Sequence, residues 1–233
     1  MSNGNYQETH ERILKSGLAA FLEEGFEKAN LRRICKAAGV TTGAFYKHFK
    51  DKEALFSELV EPLASMIRKA YAQGEKRGFA GYDEGKPVTP EQVRAALEAK
   101  AAGTLATTAM LYSHRDIYEL LVFRSYGTPY EHFLDWLVDE EDRTTLRVLE
   151  LIHGAEKART VISKESLHIV NHAFYSALSE NIIHVKTQNG APYEDLRGSL
   201  PERRPRSFQR SSMRAGRNIA RFDGSFFFCV KDN

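Results

Sequence analysis

Apolar residues return every three to four positions along most of this chain, and Gly, Pro, Asn, Asp or Thr punctuate the gaps between those runs. Ile13, Leu14, Gly17, Leu18 and Phe21 share one face and predict a first helix over about residues 7–24, stopped by Gly25. Asn30 caps a second helix whose apolar face is Ile34, Ala37 and Ala38. Gly39 follows directly, where a helix end favours a residue tolerant of positive φ, and Val40 plugs the turn. Thr41 is placed to cap a third helix, its hydroxyl oxygen accepting from first-turn N–H groups. Phe45 and Phe49, four apart, point inward together. Asp51 is the N-cap of a fourth helix over about residues 52–77, striped by Leu55, Phe56, Leu59, Leu63, Met66 and Ile67. Pro62 inside it predicts a kink, because proline removes one i→i−4 hydrogen bond; the kink reads either as an adjustable joint or as a tolerated irregularity.

Residues 74–90 are rich in Gly and charge and read as a loop. Thr89-Pro90-Glu91-Gln92 then combines a threonine cap, a proline at the first helical position and a glutamine three residues on. It opens a helix to about residue 112, followed by a shorter one over 114–123. Thr128-Pro129-Tyr130-Glu131 repeats the start signal and predicts a long helix to about residue 152. Ser163 and Glu165 open the last clear helix, to about residue 186. Its stripe of Leu167, Val170, Phe174, Ala177, Leu178, Ile182 and Val185 has roughly heptad spacing. A strand signal occurs only over 225–230, and no internal repeat is visible, so the fold class is all-α.

Charge changes this picture in two places. Residues 31–52 hold Arg32, Arg33, Lys36, Lys47, Lys50 and Lys52 against one acid, Asp51, a net charge of +5. Residues 197–233 hold nine Lys/Arg against three acids, a net +6, whereas residues 1–196 are net −4. Basicity is therefore focused, and focused charge steers a protein toward nucleic acid as well as bulk charge does. A small three-helix unit with such a surface suits a DNA groove. The spacing alone equally fits an ordinary helical corner with a solvated basic face.

Residues 10–60 go further: they closely resemble the DNA-binding head of the tetracycline-repressor (TetR) family of bacterial regulators. The resemblance is carried by ILKSGLAAFLEEGFEKANLRRICKAAGV and TTGAFYKHFKDKEALFSELV. Within them, AGVTTGAFYKHFKDKEAL joins a turn, an aromatic pair, a histidine and Lys-x-Lys-Glu-x-Leu in one register. It implies a helix-turn-helix head over 1–51 and a connecting helix over 52–77. A helical ligand-binding and dimerisation body over 89–196 and an atypical basic tail over 197–233 complete the expected organisation.

Residue by residue, the resemblance implies that Thr42, Gly43, Ala44, Tyr46 and Lys47 meet DNA bases from the start of the recognition helix. Tyr46 and Lys47 are equally suited to a phosphate. Asn30, Arg32, Thr41, His48 and Lys52 are the phosphate candidates, Lys52 by virtue of its place at a helix N-terminus. His48 has an alternative reading, a histidine packed on helix one. A homodimer on a palindromic operator follows, with half-sites about one DNA turn, or a multiple of it, apart. Leu167, Val170, Phe174, Leu178 and Ile182 are the expected dimer stripe. An unknown small-molecule effector is expected in the body, lined by Met110, Tyr112, Tyr118, Phe123, Tyr126, Tyr130, Phe133 and Trp136, although such aromatics also suit a plain core.

The tail departs from the family, which places a final dimerising helix there. APYEDLRGSL looks like its opening, and then the pattern is lost. Three readings stand: a reading-frame change giving an unselected tail, a disordered basic arm that adds DNA affinity, or a folded helix with unusual packing.

Other chemistry is sparse. Cys35 and Cys229 form no Cys-x-x-Cys or Cys/His spacing, which suits a reducing cytosol without a disulfide framework or zinc site. No apolar run approaches the roughly 18 residues of a membrane span, and MSNGNYQETHER lacks the signature of a signal sequence. The expected location is cytoplasmic. His168 and His172 sit four apart on one helix, but no third ligand stands at a telling spacing, so no metal is expected and no cofactor either. Gly-x-Ser-x-Gly, Walker and His-Glu-x-x-His motifs are missing, so no enzyme is expected. The leading expectation is a ligand-responsive repressor. The alternatives are an activator or constitutive DNA-binding protein without a working pocket and, from another class, an enzyme using the aromatic cavity.

Overall fold

The computed structural model describes residues 3–80 and 88–184, and every structural statement below concerns those residues. All their regular structure is helical. In chain order the helices are α1 (Asn3–Lys28), α2 (Leu31–Ala37), α3 (Thr42–Phe45), α4 (Lys52–Gly78), α5 (Pro90–Ser113), α6 (Arg115–Phe123), α7 (Phe133–His153), α8 (Ala155–Val161) and α9 (Lys164–His184). The expected strand over 225–230, the basic tail, Val185 and residues 81–87 of the expected loop lie outside the described residues.

Local chemistry sets the boundaries. Gly25, at φ 77°, breaks the helical backbone of α1. Asn30 accepts from the Arg32 and Arg33 amides at 2.9 and 3.4 Å and starts α2. Thr41 accepts from the Ala44 amide at 3.1 Å and starts α3, and Asp51 accepts from the Ala54 amide at 2.7 Å and starts α4. Thr89 and Gln92 form the full reciprocal capping box that opens α5.

α4 runs as one continuous helix through Pro62, whose ring sits on an exposed side. Two expectations need correction. α7 starts at Phe133, not at Thr128, because the Thr128 hydroxyl turns back to the Ser125 carbonyl at 2.6 Å and accepts from the Tyr130 amide at 3.1 Å. Thr128 thus closes a turn and does not cap a helix. The stretch between α7 and α9 is a short helix of its own, α8, set off by Gly154 at φ 78°.

The head, α1 to α3 with the start of α4, closes around phenyl rings. Phe21 and Phe26 meet Phe56 edge-on, at centroid distances of 5.2 and 5.3 Å. Edge-to-face pairs of this kind add about 0.5–1.5 kcal/mol each beyond their buried area. Gly17 lets α1 approach α4 closely, since a Cβ there would stand 2.7 Å from Leu55 Cδ2. In the body, α6 is the central element, with Tyr118, Leu120 and Leu121 fully buried. Head and body share one core. The Phe26 amide donates to the Arg124 carbonyl at the end of α6 at 2.9 Å, and the Tyr130 hydroxyl donates to Glu61 of α4 at 2.8 Å.

Candidate nucleic-acid interface and body cavity

α3 is short, and its backbone tightens beyond Phe45. The Lys47 amide donates to the Ala44 carbonyl and the His48 amide to the Phe45 carbonyl, both i→i−3 bonds. Phe45 and Phe49 are buried at 0% and 3% exposure and anchor this turn from below. Its outer surface carries Gly43, Tyr46 and Lys47, all exposed, with Thr42 and Ala44 half-covered beside them. Tyr46 keeps 56% of its surface in solvent. Arg32, Lys36 and Lys50 are exposed in the flanking segments. Among the expected base-contacting residues, all five therefore lie on or beside one short turn.

The expected phosphate contacts divide. Arg32 is exposed, and Asn30 and Thr41 are exposed although their oxygens are engaged as helix caps, which leaves the Asn30 amide and the Thr41 hydroxyl proton as donors. Lys52 is corrected. Its ammonium donates to the carbonyls of Phe26, Glu27 and Ala29 at 2.6, 3.2 and 3.1 Å, so its three protons serve the break after α1. Burial pushes its pKa down, opposed by Glu27.

His48 is the packed histidine of the alternative reading. Its ring stacks on Tyr6 at 4.1 Å and tilts against His10 at 5.6 Å. Its Nδ1 is buried without a hydrogen-bond partner, and desolvation, then His10, lowers its pKa. Tyr6 and His10 were not singled out in the sequence. Tyr6 also donates to the Lys47 carbonyl at 3.3 Å, and His10 stacks on Phe49 at 4.7 Å while its Nε2 meets Glu58 at 2.6 Å. Their spacing of four, ahead of Ile13, is the signal that places them on the inner face of α1. They buttress the end of the α3 turn.

In the body a half-open cavity of about 120 Å³ lies among α4, α5, α7 and α9. None of Met110, Tyr112, Tyr118, Phe123, Tyr126, Tyr130, Phe133 and Trp136 lines it. Tyr118 is fully buried with its hydroxyl on Ser179 at 2.8 Å, and Tyr130 reaches Glu61. Tyr112 bonds Asn181, and Met110 packs at the edge of the core. Phe133 and Trp136 pack on each other at 5.3 Å, while Phe123 and Tyr126 are exposed. The cavity is lined by small residues of α4 and α5, Ala70, Gly74, Gly78, Ala96, Ala99 and Gly103, and by the rings of Tyr71, Phe79 and Tyr175. That repeat of small residues was the overlooked signal.

The expected dimer stripe is also corrected. Leu167 and Ile182 are buried within the chain at 4% and 0% exposure, Phe174 and Leu178 pack on the core, and Val170 is half-buried. The stripe packs inward because it is the apolar face that α9 needs against α6 and α7. What α9 leaves outside includes Ile169, at 67% exposure, with Ala173 and Ala177. Two carboxylates stand near His168 that its sequence spacing did not indicate. α7 supplies Asp139 and Asp142, whose ligand atoms and that of His168 lie within 4.8 Å of one another. His168 is hydrogen-bonded to Asp142 at 2.7 Å, and His172 stands outside this group.

No helix among the described residues is long and apolar enough to cross a membrane. Residues 13–59 match the family model described as bacterial regulatory proteins, tetR family. The HTH-type transcriptional regulator AcrR of Shigella flexneri is 53% identical over 61 residues, 26% of this chain and 28% of AcrR. The HTH-type transcriptional repressor Rv1474c of Mycobacterium tuberculosis is 32% identical over 81 residues, 35% of this chain and 42% of that protein. This chain thus spans less than half the length of either relative. The crystal structure of NalD, the secondary repressor of the MexAB-OprM multidrug efflux pump in Pseudomonas aeruginosa, aligns with a TM-score of 0.44 at 20% identity, over 77% of this chain and 85% of NalD.

Proposed function

We propose that this chain, whose residues 13–59 match the tetR-family model, is a DNA-binding transcriptional repressor that works as a homodimer and releases its operator when a small molecule occupies the body. The observation that carries the reading is the α3 turn: buried phenyl rings beneath, Tyr46 and Lys47 exposed above, and Arg32, Lys36 and Lys50 around it. The backbone tightens there into a rigid, narrow projection that fits a major groove, and cations on its flanks meet phosphates. The relatives AcrR and Rv1474c are named as transcriptional regulators, which supports regulation over catalysis.

Release by a ligand needs a body state in which the two heads no longer match two half-sites. α4 supports that reading, because it lines the cavity at Ala70, Gly74 and Gly78 and packs into the head at Leu55 and Phe56. The outward face of α9, with Ile169, Ala173 and Ala177, is the surface offered to a second copy. The action is cytoplasmic.

The test is a gel shift with the full chain on DNA from upstream of its own gene, with and without cell extract, alongside a light-scattering mass. A salt-sensitive shift by a dimer, weakened by extract, is expected. No shift on any upstream fragment overturns the DNA-binding reading, and a monomer overturns the dimer.

A further inference from the structure

The charged groups on the cavity wall constrain what can enter it. Glu75 accepts from Arg143 at 2.6 and 2.9 Å and from Arg147 at 2.9 Å, and these contacts, the Arg143 bond first, hold its carboxyl below the usual range. Glu141 faces the Lys100 ammonium at 2.6 Å and accepts from the Tyr175 hydroxyl at 3.2 Å; Tyr175 is in turn bonded to Tyr71. The Lys100 ammonium also donates to Thr145 at 2.9 Å. Each ion on the wall therefore already has a countercharge from the protein. A charged guest would break one of these pairs and leave a half-buried ion without a partner, which is costly.

Two groups are left over. Thr107 and Thr108 line the cavity, and neither hydroxyl makes a hydrogen bond among the described residues. Both residues are half-buried. The rim is held open by glycines that no neighbour requires: a Cβ at Gly74, Gly78 or Gly103 would meet nothing within 4 Å. Gly74 and Gly103 lie inside helices, where glycine is less favourable than alanine. They are not there for close packing of α4 on α5, and the effect of their size is to leave room.

We infer that the cavity takes an uncharged, largely hydrocarbon molecule carrying a hydroxyl or carbonyl group that pairs with Thr107 and Thr108. This rests on the reading of the cavity as an effector site, and it adds the chemical class. The apolar body lies along the small residues of α4 and α5 and against Leu111 and Val148. The oxygen of the guest meets the two threonines, and the ion pairs at Glu75 and Glu141 stay intact.

Three probes of one ring system test this on the full chain without DNA: 1-pyrenemethanol, 1-pyrenecarboxylate and 1-pyrenemethylammonium, followed by pyrene fluorescence. The neutral alcohol should bind at least about ten-fold more tightly than either ion. Thr107→Val with Thr108→Val should lower alcohol affinity by about two- to ten-fold, the worth of a neutral hydrogen bond, and leave 1-methylpyrene unchanged. Gly103→Trp should abolish binding of all the pyrenes, with circular dichroism confirming the fold. An ion binding as tightly as the alcohol, no binding by any probe, or indifference to Gly103→Trp overturns the inference. The upstream-DNA gel shift is run separately. Loss of the shift with alcohol preference retained overturns the regulator alone, and the converse overturns the ligand class alone.

Discussion

The ammonium of Lys52 stands 4.4 Å from the ring centroid of Phe26 and donates to that same residue's carbonyl at 2.6 Å. One side chain at the start of α4 therefore holds both the ring and the backbone of the break that follows α1. Lys52→Met should cost about 1.5–3 kcal/mol, the range for hydrogen bonds to a charged group, and lower the midpoint of thermal unfolding. The salt slope of DNA binding should stay as in the parent. A slope reduced by one phosphate per head would restore Lys52 to the DNA surface.

Lys47 is the contrasting case, an exposed cation on the α3 turn. Lys47→Ala should leave unfolding unchanged and weaken DNA binding. If it meets a phosphate, the salt slope falls by about 0.9 per head and all sequences suffer alike; if it meets a guanine, the loss is confined to one operator position. Fluorescence anisotropy over a salt series, on operator and scrambled duplexes, decides between them.

The packed imidazole of His48 makes the head sensitive to acid. Its pKa is depressed in the folded chain by desolvation and by His10, so the folded state disfavours its protonation. The stability it permits is complete above about pH 6.5, the unfolded value, and is lost as pH falls from there through the depressed folded value. Denaturant midpoints at pH 7.5 and 5.5 should therefore differ more in the parent than in His48→Phe, which keeps the stack on Tyr6 and does not titrate. Equal differences would remove His48 from the account.

Gly17 is required by contact, not by conformation, since its nearest neighbour is the Leu55 side chain. Gly17→Val should destabilise by about 1–3 kcal/mol through overpacking. Adding Leu55→Ala should recover part of that loss, a coupling that a double-mutant cycle measures.

Tyr130→Phe removes the hydrogen bond to Glu61 and should cost about 0.5–1.5 kcal/mol. Under the proposed function it should also change how far effector lowers operator affinity while leaving affinity without effector close to the parent. Titrations of operator binding with and without effector read both quantities.

The head was legible because its instructions are local. Asn30, Thr41 and Asp51 each cap the helix that follows, and Phe45 with Phe49 face inward from spacing alone. The body was legible as helices but not as surfaces. A stripe such as Leu167 to Ile182 is apolar whether it meets another helix of the same chain or a second copy, and only the placement of α6 and α7 decides. Met110 and the seven aromatics expected around an effector do not line the cavity among α4, α5, α7 and α9, whose wall joins small residues to Tyr71, Phe79 and Tyr175, because periodicity does not say which rings pack together and which border a space. Lys52 was misread because its partners are carbonyls, which every residue carries and no sequence distinguishes.

The bond from the Phe26 amide to the Arg124 carbonyl joins peptide groups, so it does not depend on which side chains those positions carry. Short of proline at position 26, ordinary replacements on either side leave donor and acceptor in place. Under the proposed function, the mechanical tie between the two halves can therefore persist while the cavity residues drift toward new guests, letting descendants of this chain change what they sense without rebuilding how they let go of DNA.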